Sequence, residues 1–416
     1  MKKKAKDEIF DLIEKEQKRQ QETLMLIPSE NYASEAVRKV VGSCLSHKYA
    51  EGYPGKRYYQ GNEIIDEIEK LAINRAKKLF SVFHVNVQPH SGSPANAAVY
   101  FALLKPGETI MGMSLASGGH LTHGHPKITF SGKYFHSVQY SVGKNGWLDY
   151  EEIEKLAKKH RPKIIVCGTT AYPRVIDFAK FGQIAESVGA WLLSDIAHIV
   201  GLIIAGVHPT PVPHAHIITT TTHKTLRGPR GAMIMVTKKG LAKDPDLALK
   251  IDKAVFPGLQ GGPHEHTIAG IAVALAEAQG KAFKKYGQQI IKNAKVLAEE
   301  LVSCGFKLVT GGTDNHLMLI DLRPEGIGGK EAAVALEKAG IVVNANAIPH
   351  DPAPPYRPSG IRLGTPAVTT RGMKEPEMKL IAGWIKEGLK AKSNDQILRK
   401  INQAVKKLCQ KFPIEL

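Results

Sequence analysis

Lys224 is the side chain around which the possible chemistry of this sequence centres. It follows the β-branched run Ile217 to Thr222, and the turn formers Gly228 and Pro229 come soon after it. Such a run favours a buried strand, so Lys224 is expected just past a strand end, where α/β sheets place reactive groups. Nearby hydroxyls, the adjacent His223 and two arginines would lower the pKa of its amine. We therefore predict a lysine that forms an imine with a carbonyl compound.

A second stretch could hold a phosphate. Ser91, Gly92 and Ser93 lie between a short predicted strand and a predicted helix. Free amides at a helix start, together with two hydroxyls, form an anion cradle. Alone, such a stretch is more often an ordinary turn before a capped helix.

A third group of residues completes the requirements of pyridoxal phosphate, a carbonyl cofactor that a lysine holds as an imine. This cofactor needs a carboxylate that keeps its pyridine nitrogen protonated and a flat partner for its ring. Asp195 ends the predicted strand 190–195 and offers the carboxylate, while His120 or His198 offers the ring contact. The alternative for Asp195 alone is a helix cap. Because all the required groups occur at predicted strand ends, the sequence predicts a pyridoxal-phosphate site.

The histidines also allow a metal interpretation. His120, His123 and His125 lie close together in HLTHGH. Their spacing lacks the helical i, i+4 face and the glutamate of a zincin, and neighbouring glycines favour a loop. We therefore expect no metal site here, and histidines that are hydrogen-bonded or stacked instead.

The elements that position these groups alternate between strand and helix. Helices are predicted at 7–25, 63–80, 149–160 and 178–189, and strands at 85–88, 109–114, 127–130, 137–142, 163–168, 190–195 and 216–224. Such alternation predicts a mostly parallel sheet with helices on both faces. The composition shifts near residue 278, which predicts an N-terminal arm (1–50), a large cofactor-binding domain (51–277) and a smaller α+β domain (278–416).

Composition limits the function classes. The chain has 416 residues, 43% of them hydrophobic, and no apolar run approaches the roughly 20 residues that span a bilayer. The net charge of +18 comes from scattered lysines rather than a basic module with interleaved aromatics. We therefore expect no specific nucleic-acid binding and no membrane association, but a basic surface that attracts anionic substrates. The four cysteines are far apart, so they are expected to be reduced and buried in a cytoplasmic protein.

A run of motifs resembles those of the serine hydroxymethyltransferase family, in the family's order. They are LIPSENY, HKYAEGYPGKRYY, NVQPHSGSPAN, GGHLTHG, SDIAH, TTTTHKTLRGPRG, FPGLQGGP, GGTDNHL and SGIRLGTPA, spread over residues 26–367. The resemblance implies the aminotransferase-like type I pyridoxal-phosphate fold and a homodimer as the minimal active unit, with a tetramer also open. It also implies one-carbon transfer between serine and glycine, with tetrahydrofolate as the co-substrate.

The resemblance also implies roles for individual residues. The cofactor would be bound as an imine on Lys224 and held by Ser91, Gly92, Ser93, His120, Thr170, Asp195, His198, Arg230, Gly261 and Gly262. The amino acid would be bound by Ser29, Glu51, Tyr59, His198 and Arg362. Catalysis would involve Lys224, Glu51, His223, Tyr59 and Tyr49, with Glu51 and both tyrosines supplied by the other subunit and Arg230 holding Tyr49.

Folate contacts are the last set that the resemblance implies. They would come from Leu115, Gly119 and Leu121, and from Asn346 or its neighbour Asn344. Ser117 and Ala345 depart from the family's usual residues in this region. The alternative is a folate-independent aldolase for threonine or another β-hydroxy amino acid, which would share Lys224, Asp195 and Arg362.

Overall fold

The structure is a computed structural model that describes residues 7–354 and 356–415. The first six residues of the predicted arm, and Leu416 of the predicted C-terminal domain, lie outside the described residues. The helices within the described ranges are α1 Glu8–Glu22, α2 Glu35–Val41, α3 Glu63–Phe80, α4 Gly92–Leu103, α5 Phe130–Tyr134, α6 Tyr150–His160, α7 Phe178–Ser187, α8 Val200–Ile204, α9 Lys238–Lys243, α10 Leu247–Lys253, α11 Glu265–Ala278, α12 Lys281–Ser303, α13 Gly329–Lys338, α14 Pro366–Thr370, α15 Glu375–Lys390 and α16 Asp395–Lys411. The strands are β1 Leu24–Met25, β2 Gly52–Tyr53, β3 Lys56–Arg57, β4 His84–Asn86, β5 Thr109–Met113, β6 His136–Tyr140, β7 Ile164–Gly168, β8 Trp191–Asp195, β9 Ile217–Thr221, β10 Ala232–Val236, β11 Lys307–Leu308, β12 Leu317–Asp321, β13 Ile341–Val342, β14 Asn344–Asn346 and β15 Gly360–Gly364.

A seven-stranded sheet forms the centre of the fold, in the order β4-β10-β9-β8-β7-β5-β6. Only β10 runs against its neighbours, so the prediction of a mostly parallel sheet is confirmed. All five residues of β7 are buried, with Ile164 and Val166 in one apolar core and Ile165 and Cys167 in another. Helices therefore cover both faces of the sheet, as parallel sheets require.

The strand predicted at 127–130 is wrong. Lys127 adopts a left-handed conformation with φ 73°, and the chain then enters α5. The Thr129 side chain accepts a hydrogen bond from the Gly132 N–H and so caps this helix. A threonine cap followed by a short helix outweighs the β-branched character of the segment.

A second sheet of four antiparallel strands, β11-β12-β15-β14, lies in the C-terminal part of the chain. The N-terminal strand β1 pairs with β13, Leu24 opposite Ile341, and both Leu24 and Leu26 are buried in the core of this C-terminal part. The segment after β1, which contains Ser29, is thereby anchored beside the second sheet. The division into an arm and two domains stays a prediction.

Helix α1 packs differently from the others. None of its residues is buried, and Ile9, Phe10, Leu12 and Ile13 are all exposed. No helix in the described ranges is both long enough and apolar enough to cross a bilayer.

The four cysteines are free, but their predicted burial holds only for Cys167 and Cys409. Cys44 is exposed and Cys304 is half-buried.

Candidate active site

A pocket of about 360 Å³ lies beyond the carboxyl ends of β7, β8 and β9. This is where ligands bind in open α/β sheets. Twelve of the predicted site residues line it: Ser29, Ser91, Gly92, Ser93, His120, Thr170, Asp195, His198, His223, Lys224, Arg230 and Arg362. Glu30, Thr169, Ala197 and Thr221 also line it and were not predicted. We call this cavity the Lys224 pocket.

Lys224 lies three residues beyond the end of β9, as its sequence context predicted. Burial lowers the pKa of its amine to about 8, with Asp195 acting against this shift and Arg362 and Arg230 adding to it. With this pKa about a tenth of the amine is unprotonated at pH 7, far more than for an ordinary lysine, and the unprotonated form is the one that attacks a carbonyl.

The start of α4 supplies the expected phosphate cradle. Ser91 is the N-cap residue, and it makes no side-chain capping hydrogen bond. The amides of Gly92 and Ser93, which line the pocket, are therefore left available for an anion, whereas Pro94 has no amide to offer. A Cβ added to Gly92 would lie 2.8 Å from the Cγ2 atom of Thr221, so only glycine leaves this space open.

Asp195, at the end of β8, is held as an acceptor. Its Oδ2 accepts hydrogen bonds from Nδ2 of Asn96 (2.9 Å) and Nε2 of His123 (3.0 Å), and its Oδ1 accepts one from the Ala197 N–H (3.1 Å). Burial raises the pKa of this carboxyl, but the hydrogen bond and charge of His123 and its other partners outweigh burial and hold the pKa well below its usual range. A carboxylate that stays ionised suits a protonated pyridine nitrogen.

Sequence reasoning missed His123 and Asn96, because both contact Asp195 only in the folded chain. The His120 N–H donates to Nδ1 of His123 at 3.2 Å, which leaves Nε2 of His123 to donate to Asp195. The motif HLTHGH did draw attention to His123, and a hydrogen-bonded histidine was expected there, but its partner Asp195 was not predicted. Within the described ranges, no group of three or more His, Cys, Asp or Glu side chains is arranged to hold a metal ion.

The histidines that line the pocket are uncharged. Burial, then the neighbouring His123, lowers the pKa of His120 to about 4, and burial lowers that of His223 to about 3. The pKa of His198 lies well below its usual range for the same reason. Nε2 of His198 is buried and has no hydrogen-bond partner among the described residues. A neutral ring and an unused donor or acceptor both suit a bound aromatic cofactor, so the donor set fits pyridoxal phosphate.

Arg362 enters the pocket from β15 of the second sheet and is buried. Its Nη1 donates to the Thr170 carbonyl at 2.6 Å, and its Nε donates to Oδ1 of Asn344 at 3.1 Å. Burial lowers the pKa of its guanidinium to about 10, which leaves it charged at neutral pH. An oriented guanidinium is well suited to bind a carboxylate.

Comparison with known proteins agrees with this donor set. The sequence model of the family described as serine hydroxymethyltransferase matches residues 2–385. The chain belongs to this family. Three relatives bear the name serine hydroxymethyltransferase. The protein of Desulfotalea psychrophila is 55% identical over 98% of this chain and 94% of its own. Those of Acidothermus cellulolyticus and Methanosarcina barkeri are 56% identical, over 97% and 99% of this chain and 95% and 98% of their own. The folate-independent aldolase is not favoured by these names.

Five residues predicted for a serine hydroxymethyltransferase site do not line the Lys224 pocket. They form a separate group, the Tyr49 cluster, which consists of Tyr49, Glu51, Tyr59, Gly261 and Gly262. The Tyr49 hydroxyl lies 3.3 Å from Oε1 of Glu51, and the two tyrosine rings are 5.1 Å apart. A Cβ on Gly261 would lie 3.0 Å from that Glu51 oxygen, and one on Gly262 would lie 3.3 Å from the Tyr49 ring. Tyr49 and Tyr59 are 53% and 45% exposed.

The predicted folate residues also lie outside the lining of the pocket. Leu121 is exposed, Leu115 is half-buried and Gly119 is buried. Asn346 donates to the Ala347 carbonyl at 2.7 Å, whereas Asn344 contacts Arg362. Of the two asparagines, Asn344 is therefore the one in contact with a pocket residue.

Proposed function

We propose that this chain interconverts serine and glycine, with tetrahydrofolate as the acceptor that becomes 5,10-methylenetetrahydrofolate and pyridoxal phosphate bound covalently to Lys224. The observation that best supports this proposal is that Lys224, with its amine pKa lowered to about 8, shares one pocket with Asp195 and Arg362. Membership of the serine hydroxymethyltransferase family supports the same reaction.

The residues of the Lys224 pocket bind and orient the cofactor. When bound, pyridoxal phosphate supplies an aromatic ring that withdraws the electron pair left on the α-carbon of the amino acid. Asp195 would keep the pyridine nitrogen protonated, because its carboxylate stays ionised. The amides at the start of α4 would hold the phosphate, and the neutral ring of His120 would offer a flat partner for the cofactor ring.

The amino acid is oriented by Arg362 and Ser29, which bind its carboxylate. The Thr170 carbonyl and Asn344 fix the guanidinium, so substrate binding does not have to order a flexible arginine. Glu51 takes the proton from the hydroxyl oxygen of the substrate serine, and Tyr59 lies near Glu51. Lys224 accepts and returns protons at its Nζ while the substrate occupies the pocket.

Glu51 reaches this substrate from a second copy of the chain. The exposure of Tyr49 and Tyr59, and the exposed apolar face of α1, support a homodimer in which both surfaces are covered. The same arrangement brings Gly261 and Gly262 to the phosphate of the neighbouring subunit. Whether two such dimers associate, and the cytoplasmic location, stay predictions from the sequence.

Tetrahydrofolate binds beside the amino acid, against Leu115, Gly119 and Leu121, with Asn346 or Asn344 contacting its ring. The net charge of +18 favours an acidic co-substrate.

An absorbance titration tests the proposal. Purified protein with pyridoxal phosphate should show a visible band that shifts on adding glycine and gains a strong new band on adding tetrahydrofolate. The variant Lys224→Ala should lack the initial band. A protein that responds to glycine but ignores folate would instead be an aldolase, and a wild-type protein without any visible band would refute the role of Lys224.

A further inference from the structure

Asn31 lies next to the Lys224 pocket without lining it. It follows Ser29 and Glu30, which both line the pocket, and its Nδ2 donates a hydrogen bond to the backbone carbonyl of Lys224 at 2.9 Å. The same Nδ2 donates to the Tyr286 hydroxyl at 2.7 Å. One amide nitrogen therefore joins the Lys224 loop to helix α12, which contains Tyr286.

The Oδ1 atom of Asn31 is also fully used. It accepts hydrogen bonds from the Thr370 hydroxyl at 2.7 Å and from the Tyr32 N–H at 2.9 Å. The orientation of the amide follows from its partners, because the Lys224 carbonyl can only accept and the Tyr32 N–H can only donate. All four hydrogen-bonding positions of the side chain are thus satisfied in one orientation.

These contacts connect the segments that carry the main groups of the pocket. Ser29 lies two residues before Asn31, and Thr370 ends helix α14, which follows the strand that carries Arg362. The Asn31 amide thus contacts the lysine loop and the helix that follows the Arg362 strand. Asn31 also belongs to the same short segment as Ser29.

The backbone of the lysine loop needs such support. The Lys224 carbonyl accepts a second hydrogen bond, from the Arg227 N–H at 3.1 Å, and Arg227 has a φ of 60°. A left-handed conformation is unfavourable for a residue other than glycine, so surrounding contacts must maintain it. The Arg227 guanidinium also lies 4.3 Å from the centre of the Tyr286 ring, whose hydroxyl contacts Asn31.

We propose that Asn31 is a positioning residue that fixes the backbone of Lys224 and so aims its amine at the aldehyde carbon of pyridoxal phosphate. The inference rests on the proposed function, since it assumes that Lys224 binds this cofactor. In the step concerned, a C=N bond forms between Nζ and the aldehyde carbon, and the aldehyde oxygen leaves as water. Misplacement of the amine slows this step without changing its chemistry.

The experiment measures how fast protein freed of cofactor captures added pyridoxal phosphate. Samples are reduced with borohydride at set times, and mass spectrometry gives the fraction of Lys224 that carries the cofactor. Asn31→Ala removes all contacts of the amide, while Asn31→Asp keeps its volume and an acceptor oxygen but removes the donor to Lys224. Tyr286→Phe and Thr370→Val are matched controls, since each removes one partner of Asn31 but leaves its bond to Lys224.

We expect both Asn31 variants to capture the cofactor about tenfold more slowly or worse, and both controls to stay within about twofold of wild type. The midpoint temperature of thermal unfolding, measured in parallel, should fall by similar amounts in those of the four variants that fold. Wild-type rates in either Asn31 variant, or equal slowing in the controls, would overturn the inference. A wild-type protein that captures no cofactor on Lys224 would overturn the proposed function as well, so the two failures are distinct.

Discussion

The Lys224 pocket and the Tyr49 cluster contain residues of one predicted site, yet they differ in how far folding completes them. In the pocket, Asp195 is hydrogen-bonded by Asn96 and His123, and Arg362 by Thr170 and Asn344, from separate parts of the chain. In the cluster, Tyr49 is the one hydrogen-bond partner that the Glu51 side chain has among the described residues, and both tyrosines face solvent. Contacts within one chain therefore fix the Lys224 pocket, whereas the Tyr49 cluster resembles a surface that a second copy of the chain covers.

Removing the amine should have the largest effect. In Lys224→Ala the covalent bond to the cofactor cannot form, so kcat should fall by about three orders of magnitude or more. Steady-state assays of serine cleavage would measure this loss. Lys155→Ala, at a lysine whose side chain is 73% exposed, is the control and should keep full activity. If the Lys224 variant retained activity, the pocket would not be the catalytic site.

Mixed dimers test whether the Tyr49 cluster serves the pocket of the other subunit. Lys224→Ala and Glu51→Gln should each be nearly inactive as homodimers. When the two variants are coexpressed, half of the dimers are mixed and each mixed dimer contains one intact site. Activity should therefore return to about a quarter of wild type, since the symmetry of the dimer places both defects in one site.

The differently tagged mixed dimers can be purified and assayed alone. If the mixed dimers are as inactive as the two variant homodimers, Glu51 acts within its own subunit or not at all. The Tyr49 cluster would then not serve the pocket of the other subunit.

Narrowing the phosphate cradle should have an intermediate effect. Gly92→Ala places a Cβ 2.8 Å from Cγ2 of Thr221, and the overpacking should weaken cofactor affinity by about tenfold. Titration of cofactor-free protein with pyridoxal phosphate gives this affinity. Gly383→Ala is the matched control, because a Cβ at that helical glycine meets no atom within 4 Å. Unchanged affinity in the Gly92 variant would place the phosphate elsewhere.

The pH dependence of stability should show the smallest effect. Burial lowers the pKa of Lys224 from 10.5 to about 8, so between these values the unfolded chain binds a proton that the folded chain does not. The free energy of unfolding of cofactor-free protein should therefore rise with pH across this window, by at most about 1.4 kcal/mol per pH unit. Lys224→Met should lack this contribution. Denaturant titrations at several pH values would measure it, and identical slopes for both proteins would contradict the lowered pKa.

Local patterns predicted the central sheet and the place of Lys224, because a buried β-branched run followed by turn formers has few other structural solutions. They failed at 127–130, where a threonine cap redirects the chain. They also missed Asn96 and His123, whose importance arises from contacts with Asp195, 99 and 72 residues away in sequence. The roles of Tyr49 and Glu51 came from family resemblance, since neither residue lines the pocket within the described part of one chain.

The pairing of β1 with β13 has a consequence for synthesis of the chain on the ribosome. Leu24 and Leu26 leave the ribosome before Ile341, the residue opposite Leu24, which emerges only after more than three hundred further residues. Until then the segment with Ser29 and Asn31 has no strand to anchor it, and Arg362 does not yet exist. A nascent chain can therefore complete the central sheet and position Lys224 well before it acquires the substrate carboxylate site, which needs Arg362.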